Sequence, residues 1–395
     1  MSKAVRVSDL VAEGALLVED GNHGEYRPRP NEFVEVGVPY IRAADMSSGV
    51  VNFQSAGKID ATARQRVRKG IGLPGDALLS HKGTVGKVGV APMDSPDFVC
   101  SPQTTFWRSL DSSRIEQRYL PYLLKSSSFT AQLNYLMGQT DMAAYVSLTD
   151  QRAMTIPLPP IEVQRGIAEV LGALDDKIAA NATLVTTADE LAGHLTRVAM
   201  TGTTQALAGI AEITMGSSPP GTSYNESGEG VVFYQGVRDF GVRFPSNRVW
   251  TTQPVRQAQV DHTLVSVRAP VGRTNLASEQ TCIGRGLASV RSVSGRPFSL
   301  FHIIRDSPDA WAPYEAEGTI FGSINKHQLA GLQVGVVDEA QSDRLEGELV
   351  ALEARIAAAI HESAGLTEMR DALLPQLMSG KIWVKDAERV VEGVV

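Results

Sequence analysis

Cysteine is scarce in this chain: two residues in 395, Cys100 and Cys282, far apart and outside any metal-type spacing. A disulfide-stapled secreted domain and a zinc site are thereby excluded, and reduced thiols packed in a core are expected, as in a cytoplasmic protein. No uninterrupted apolar stretch reaches the ~18 residues of a membrane span. The opening MSKAVRVSDLVAEGALLVEDG lacks the apolar centre of a signal peptide. Catalytic signatures are missing too. No HExxH, no GxSxG and no Asn-Pro-Pro-aromatic segment occurs, and the histidines are scattered. His81-Lys-Gly-Thr-Val-Gly-Lys87 imitates a phosphate loop, but histidine stands where glycine must open it, and Val88 where a Ser or Thr must follow the lysine. No catalytic residue and no metal ligand set emerges, so a binding protein is expected rather than an enzyme.

Positive charge is also short overall, with a net charge of −7. Its distribution matters more than its total. Met1 to Pro157 carries 17 basic and 16 acidic residues, and Thr203 to Leu332 carries 11 and 10. Leu158 to Gly202 has 3 and 6, and Gln333 to Val395 has 6 and 12. The acidity therefore lies on two segments, leaving the other two free to present local basic patches.

Those two acidic segments are the clearest elements of the chain. Pro157-Leu-Pro-Pro160 fixes an extended entry. Then Ile167, Leu171, Leu174, Ile178, Asn181, Val185, Ala188, Ala192 and Leu195 recur at alternating spacings of four and three. That is heptad periodicity with Asn181 as its one polar rung, a residue type that sets register when buried. Val170, Leu184, Leu191 and Val198 are expected to widen the stripe. A second ladder, Leu345, Leu349, Leu352, Ile356, Ala359, Ser363, Leu366 and Leu373, ends near Pro375 and Gly380. Adding 178 to a number in the first helix lands on its match in the second: Leu171 on Leu349, Leu174 on Leu352, Ile178 on Ile356, Gly202 on Gly380. Roughly 35–40 residues of helix would be on the order of 55–60 Å long. Leu171, Leu174, Ile178, Leu349, Leu352 and Ile356 are the expected helix-pair interface.

The segments between are mixed. Turn-bounded apolar runs such as Val38–Ile41, Ala77–Ser80 and Val85–Val90 read as strands, and 118–136 as a helix capped from Asp111. They also repeat. Leu78-Leu-Ser-His-Lys-Gly-Thr-Val-Gly-Lys87 lies over Leu264-Val-Ser-Val-Arg-Ala-Pro-Val-Gly-Arg273, an offset of 186. Val38-Pro-Tyr-Ile-Arg42 lies over Val231-Val-Phe-Tyr-Gln235, and Cys100–Gln103 over Cys282–Arg285 at an offset of 182. An ancient duplication follows from their shared order. The chain divides into globular segments 1–157 and 203–335, each followed by a helical one, 158–202 and 336–395. The fold class is α+β: two mixed α/β domains joined by two long helices, with an internal repeat. Lys82, Lys87, Arg268 and Arg273 are paired basic positions suited to phosphates or guanine edges, and Gln103 and Arg285 suit bidentate base contacts. Arg42, Gln235 and Arg238 are further candidates for DNA contact. Tyr40, Phe233 and the two cysteines read as core.

With these residues in view, the chain resembles the specificity subunits of type I restriction–modification systems. The likeness lies in Ile156-Pro-Leu-Pro-Pro-Ile-Glu-Val-Gln164 through Leu174-Asp-Asp-Lys-Ile178, and in Arg370-Asp-Ala-Leu-Leu-Pro-Gln-Leu-Met-Ser-Gly380. Gly216-Ser-Ser-Pro-Pro220, Phe233–Phe240, Ser266–Arg273 and Cys282–Gly286 resemble a common class of second recognition domain. The entry Val336-Val-Asp-Glu-Ala-Gln341 departs from the family by lacking the double proline. The resemblance implies two target-recognition domains, each reading half of a split double-stranded DNA target, held apart by an antiparallel coiled-coil helix pair with pseudo-two-fold symmetry. It implies two modification subunits, which bind S-adenosylmethionine and methylate adenine, and restriction subunits using ATP and Mg. This chain would hold no cofactor itself. DNA faces repeat about every 34 Å, so two readers on one face require a stiff spacer. The alternative is a scaffold that assembles other proteins without touching DNA.

Overall fold

Short, fully buried apolar runs flanked by glycine, proline or aspartate set the strands. The computed structural model describes residues 3–47, 49–138, 144–314 and 322–394. The chain forms two units, Met1–Ile178 with Ala364–Val395, and Ala179–Ser363. Among the described residues no helix is long and apolar enough to cross a membrane.

The first unit holds β1 (Lys3–Arg6), β2 (Leu16–Asp20), β3 (Val38–Ile41), β4 (Ala77–Ser80), β5 (Val88–Val90), β6 (Phe98–Cys100), β7 (Thr104–Ser109) and β8 (Thr155–Leu158). One sheet has the order β2-β7-β4-β5, extended by two short strands, and β3 pairs in parallel with β6 in another. β1 and β8 form an antiparallel ribbon. The helix expected over 118–136 is broken in two, α1 (Leu120–Lys125) and α2 (Ser127–Met137). The break is at Ser126, whose extended backbone lets its hydroxyl accept from Phe129 N at 3.3 Å. Asp111 folds back on Ser113 instead of capping either helix. α3 (Leu148–Ala153) opens with a capping box between Ser147 and Asp150. α4 (Ile161–Ala199) runs from the double proline and gives its first part to this unit.

The second unit repeats the plan. β9 (Met200–Ala206), β10 (Ala211–Met215), β11 (Val231–Tyr234), β12 (Thr263–Ser266), β13 (Thr274–Leu276), β14 (Thr281–Ile283), β15 (Leu287–Ser292) and β16 (Gln333–Val337) follow in the same order. The sheet order is β10-β15-β12-β13, β11 is parallel to β14, and β9 pairs with β16. α5 (Pro297–Arg305) packs beneath, and α6 (Lys326–Ala330) has a capping box between Asn325 and Gln328. α7 (Glu339–Ser379) starts without proline because Asp338 Oδ1 accepts from Ala340 N at 3.0 Å. Pro375 lies inside α7 rather than closing it, and Gly380, at φ +71°, ends it. The tail forms α8 (Val384–Val391). Gly21 after β2 and Gly216 after β10 are matching close approaches: a Cβ would lie 2.0 Å from Cys100 O in one and 2.1 Å from Gly284 O in the other.

The two long helices complete the first unit's core and, in the second unit, pair mainly with each other. In the first unit Ile167, Leu171 and Leu174 of α4 join Leu366, Leu373 and Leu377 of α7, together with Leu123 and Phe129. In the second, Val185 and Ala188 meet Ile356 and Ala359, and Ala192 and Ala199 meet Leu345 and Leu349. Numbers fall along α7 as they rise along α4, so the helices run antiparallel. Asn181 is buried and donates to Glu362 Oε2 at 2.7 Å, so the polar rung has a fixed partner. Ile178 and Leu352 are half-buried beside these clusters. The apolar stripe is narrower than expected, because Leu191 and Val198 are 45% and 65% exposed. Leu174→Asp puts a carboxylate into the first core. The loss should exceed the about 2–5 kcal/mol of a Leu→Ala cavity. Thermal unfolding of the full chain should lose its sharp transition, whereas Leu191→Asp should leave it nearly unchanged.

Candidate nucleic-acid interface

Three loops of the first unit are tied together at one end of its sheets. β4 ends in Ser80, whose Oγ accepts from Lys87 N at 2.9 Å, while Ser80 N donates to Lys87 O at 2.9 Å. Gly86, at φ +92°, turns the chain between them. The next residue, His81, donates its backbone N–H to Gln103 O at 2.8 Å, in the loop between β6 and β7. Ser101 N in that loop donates to Ile41 O at 2.8 Å, at the end of β3, immediately before Arg42. Arg42, Lys82, Lys87 and Gln103 are therefore brought together, and all four are exposed. Lys87 also turns its ammonium onto Ala43 O and Met46 O, at 3.3 and 3.4 Å. Lys82 Nζ lies 5.8 Å from the centre of the Tyr145 ring.

The second unit builds the same cluster. Ser266 Oγ accepts from Arg273 N at 2.8 Å, and Gly272, at φ +81°, makes the turn. Val267 N donates to Gly286 O at 2.9 Å, and Gly284 N to Tyr234 O at 2.8 Å. Gln235, Arg268, Arg273 and Arg285 are exposed on these joined loops, with Arg238 in the turn after Gln235. One alignment needs correction. Val99 pairs with Tyr40, and Cys282 with Phe233. The cysteines are thus one residue out of step: Ile283 answers Cys100, and Gln103 answers Gly286 rather than Arg285. Backbone register fixes the correspondence, and the matching cysteine letters are coincidental. Tyr40, Phe233, Cys100 and Cys282 are buried, and burial pushes both thiols up.

Residues 22–187 match the family model described as the type I restriction modification DNA specificity domain. The "putative type I restriction enzyme MjaX specificity subunit" of Methanocaldococcus jannaschii is 26% identical over 379 residues, covering 89% of this chain and 88% of the relative. The first unit thus carries a match to a type I DNA specificity domain, and nearly the whole chain is similar to a type I specificity subunit. Among solved structures, the S subunit of a type I restriction-modification system from M. genitalium shares the fold. It is 16% identical with a TM-score of 0.59, and 95% of this chain and 96% of that one are covered. The HsdS subunit from Thermoanaerobacter tengcongensis is 25% identical, with 96% and 97% covered and a TM-score of 0.36.

The loop that carries Arg238 is fastened to both helices by charges that the periodic pattern does not reveal. Arg243 is 3% exposed and stacks over Phe301, with its guanidinium carbon 4.7 Å from the ring centre. It pairs with Asp189 of α4, and its Nε lies 3.2 Å from Glu353 Oε2 of α7, off the hydrogen-bond line. Glu353 Oε1 accepts from His302 Nε2 at 2.8 Å, and Arg305 also pairs with Asp189. The first unit has a smaller version: Asp175, the match of Glu353, accepts from Arg370 at 2.8 Å and from Tyr122 at 2.7 Å. Arg243→Ala would strip a buried partner from two carboxylates and should cost about 3–5 kcal/mol, read from the urea midpoint of the full chain.

Burial lowers the pKa of His302, and likewise of His23 and His81 in the first unit. His23 Nε2 donates to Cys100 O at 2.8 Å and His81 Nδ1 to Val146 O at 3.0 Å. The unfolded chain therefore takes up these protons near the ordinary pH of about 6.5, before the folded chain does. Their contribution to stability is complete above that pH and is lost as pH falls below it. The melting temperature should accordingly drop between pH 7.5 and 5.5, and drop less in His81→Gln.

Proposed function

We propose that this chain is the sequence-specific DNA-recognition subunit of a type I restriction–modification complex. Each unit reads one half of a bipartite duplex target. The helix pair sets the spacing between half-sites and docks two modification subunits, with restriction subunits joining for cleavage. The observation that carries this reading is the duplicated loop cluster, in which the same three-way backbone joint presents exposed cationic side chains and a glutamine in both units. Such side chains supply both halves of DNA binding: phosphate contacts for affinity and forked donors for base edges. The net negative charge is no obstacle, because many of the acidic residues lie on the helices, where Asp175, Asp189 and Glu353 face arginines of the fold. S-adenosylmethionine, ATP and Mg belong to the partner subunits, so the complex would act in the cytoplasm as an adenine methyltransferase and nuclease while this chain does no chemistry.

The test is selection from a random-sequence duplex library by the chain assembled with its modification subunits, over a range of salt. One split motif should be enriched, at roughly 10³-fold or more over random sequence, and affinity should fall steeply as salt rises. Binding without any enriched motif, or no binding at all, would sink the reading.

A further inference from the structure

The candidate arginines are of two kinds. Arg238, Arg268, Arg273 and Arg285 are exposed, and their guanidinium groups have no partner among the described residues. A different kind of arginine is held by a buried carboxylate. In the first unit Asp45, 3% exposed, accepts from the backbone N–H of Arg42 at 2.8 Å and from its Nε at 3.3 Å. Asp239 is the counterpart in the second unit, also 3% exposed, and it accepts from the backbone N–H of Gln235 at 2.7 Å. Gln235, which matches Arg42, leaves Asp239 without a guanidinium from that position. Arg248 supplies one from elsewhere in the chain: its Nε and Nη2 donate to Asp239 Oδ1 at 3.1 and 2.5 Å. Both units thus fix a guanidinium on the same carboxylate, reached from different places in sequence.

Arg248 is 39% exposed at the side chain, and its Nη1 has no partner among the described residues. It lines an open cleft of about 540 Å³ together with Gln235, Arg238, Asp239, Ala269 and Pro270. We propose that Arg248 is a base-reading residue of the second unit, the functional counterpart of Arg42, and that its ligand is a guanine edge presented to this cleft. Asp239 is its positioning residue. Two physical arguments separate this role from phosphate binding. The carboxylate cancels most of the net charge that would attract a phosphate, yet leaves outward N–H groups for O6 and N7. It also fixes the plane of the fork, which base discrimination needs and a phosphate grip does not. The unpartnered arginines around the cleft then serve the backbone.

This inference rests on the DNA-reading function proposed above, and the same library selection distinguishes the two. Arg248→Lys keeps the charge and loses the fork. Preference at one base pair of one half-site should fall about 10-fold or more, with the other half-site and the salt dependence unchanged. Asp239→Asn should weaken the same position with a smaller effect. Arg238→Ala should instead reduce affinity for all sequences alike and lower the salt slope by about one. An unchanged motif in Arg248→Lys, with wild type still selecting its own, would overturn the inference and leave the DNA-reading function standing. A uniform loss on every sequence would make Arg248 a phosphate contact and overturn it too. If wild type selects no motif, the inference falls with the reading it rests on.

Discussion

The largest apolar core of the first mixed segment is not closed by that segment alone. It is finished by helical turns far away in sequence, the start of α4 and the end of α7, whereas the second segment closes a core of its own and meets the helices through Phe298 and Val337. That dependence is the constraint from which the architecture follows. A sheet with one apolar face must be covered. Here one pair of helices covers the first segment and continues as a seam of its own beside the second. In the first unit the loops at the sheet ends are consequently anchored, through their strands, to the helices themselves. In the second unit the link is direct, because Arg243 lies in the loop between Arg238 and Arg248 and is held by Asp189 of α4 and Glu353 of α7.

The scaffold is largely legible in the residues. Heptad spacing marks both helices, and the 178-residue offset extends further upstream than the helices alone suggest, through the capping boxes at Ser147 and Asn325 and the strands β8 and β16. These features are legible because the side chains that make them are locally determined. What eludes sequence reading is set by partners distant in the chain. The break at Ser126 interrupts a good helical pattern because a short serine cap competes with continuation. Leu191 and Val198 fit the stripe by number yet face outward, since period alone does not say how wide a partner is. The shift of one residue at the cysteines appears only once β6 and β14 have neighbours to count against.

The site is legible in outline and not in its chemistry. Turn-flanked basic residues point to the loop clusters, and the joint made by Ser80 and Ser266 explains why both turns keep Ser, Gly and a cation at the same spacing. Arg248 leaves no such trace. It stands outside every repeated motif, and its link to Asp239 depends on how the chain returns before the short strand at Trp250–Thr251. Duplicated domains free to diverge can keep the position of a functional group while changing which residue provides it.

The duplication is also incomplete, and the remainder has a consequence. Gly202 lies within β9, but after the matching Gly380 the chain forms α8, which buries Ala387 and Val391 and brings Val384 onto Gly166 of α4. The residue of α7 that corresponds to Gly166 is Arg344, whose side chain is 83% exposed. The opening turns of the two helices therefore differ in shape and polarity. Two copies of one protein bound at these opening turns would face unlike footprints, so their affinities would differ and the pair would load in a preferred sequence rather than at random.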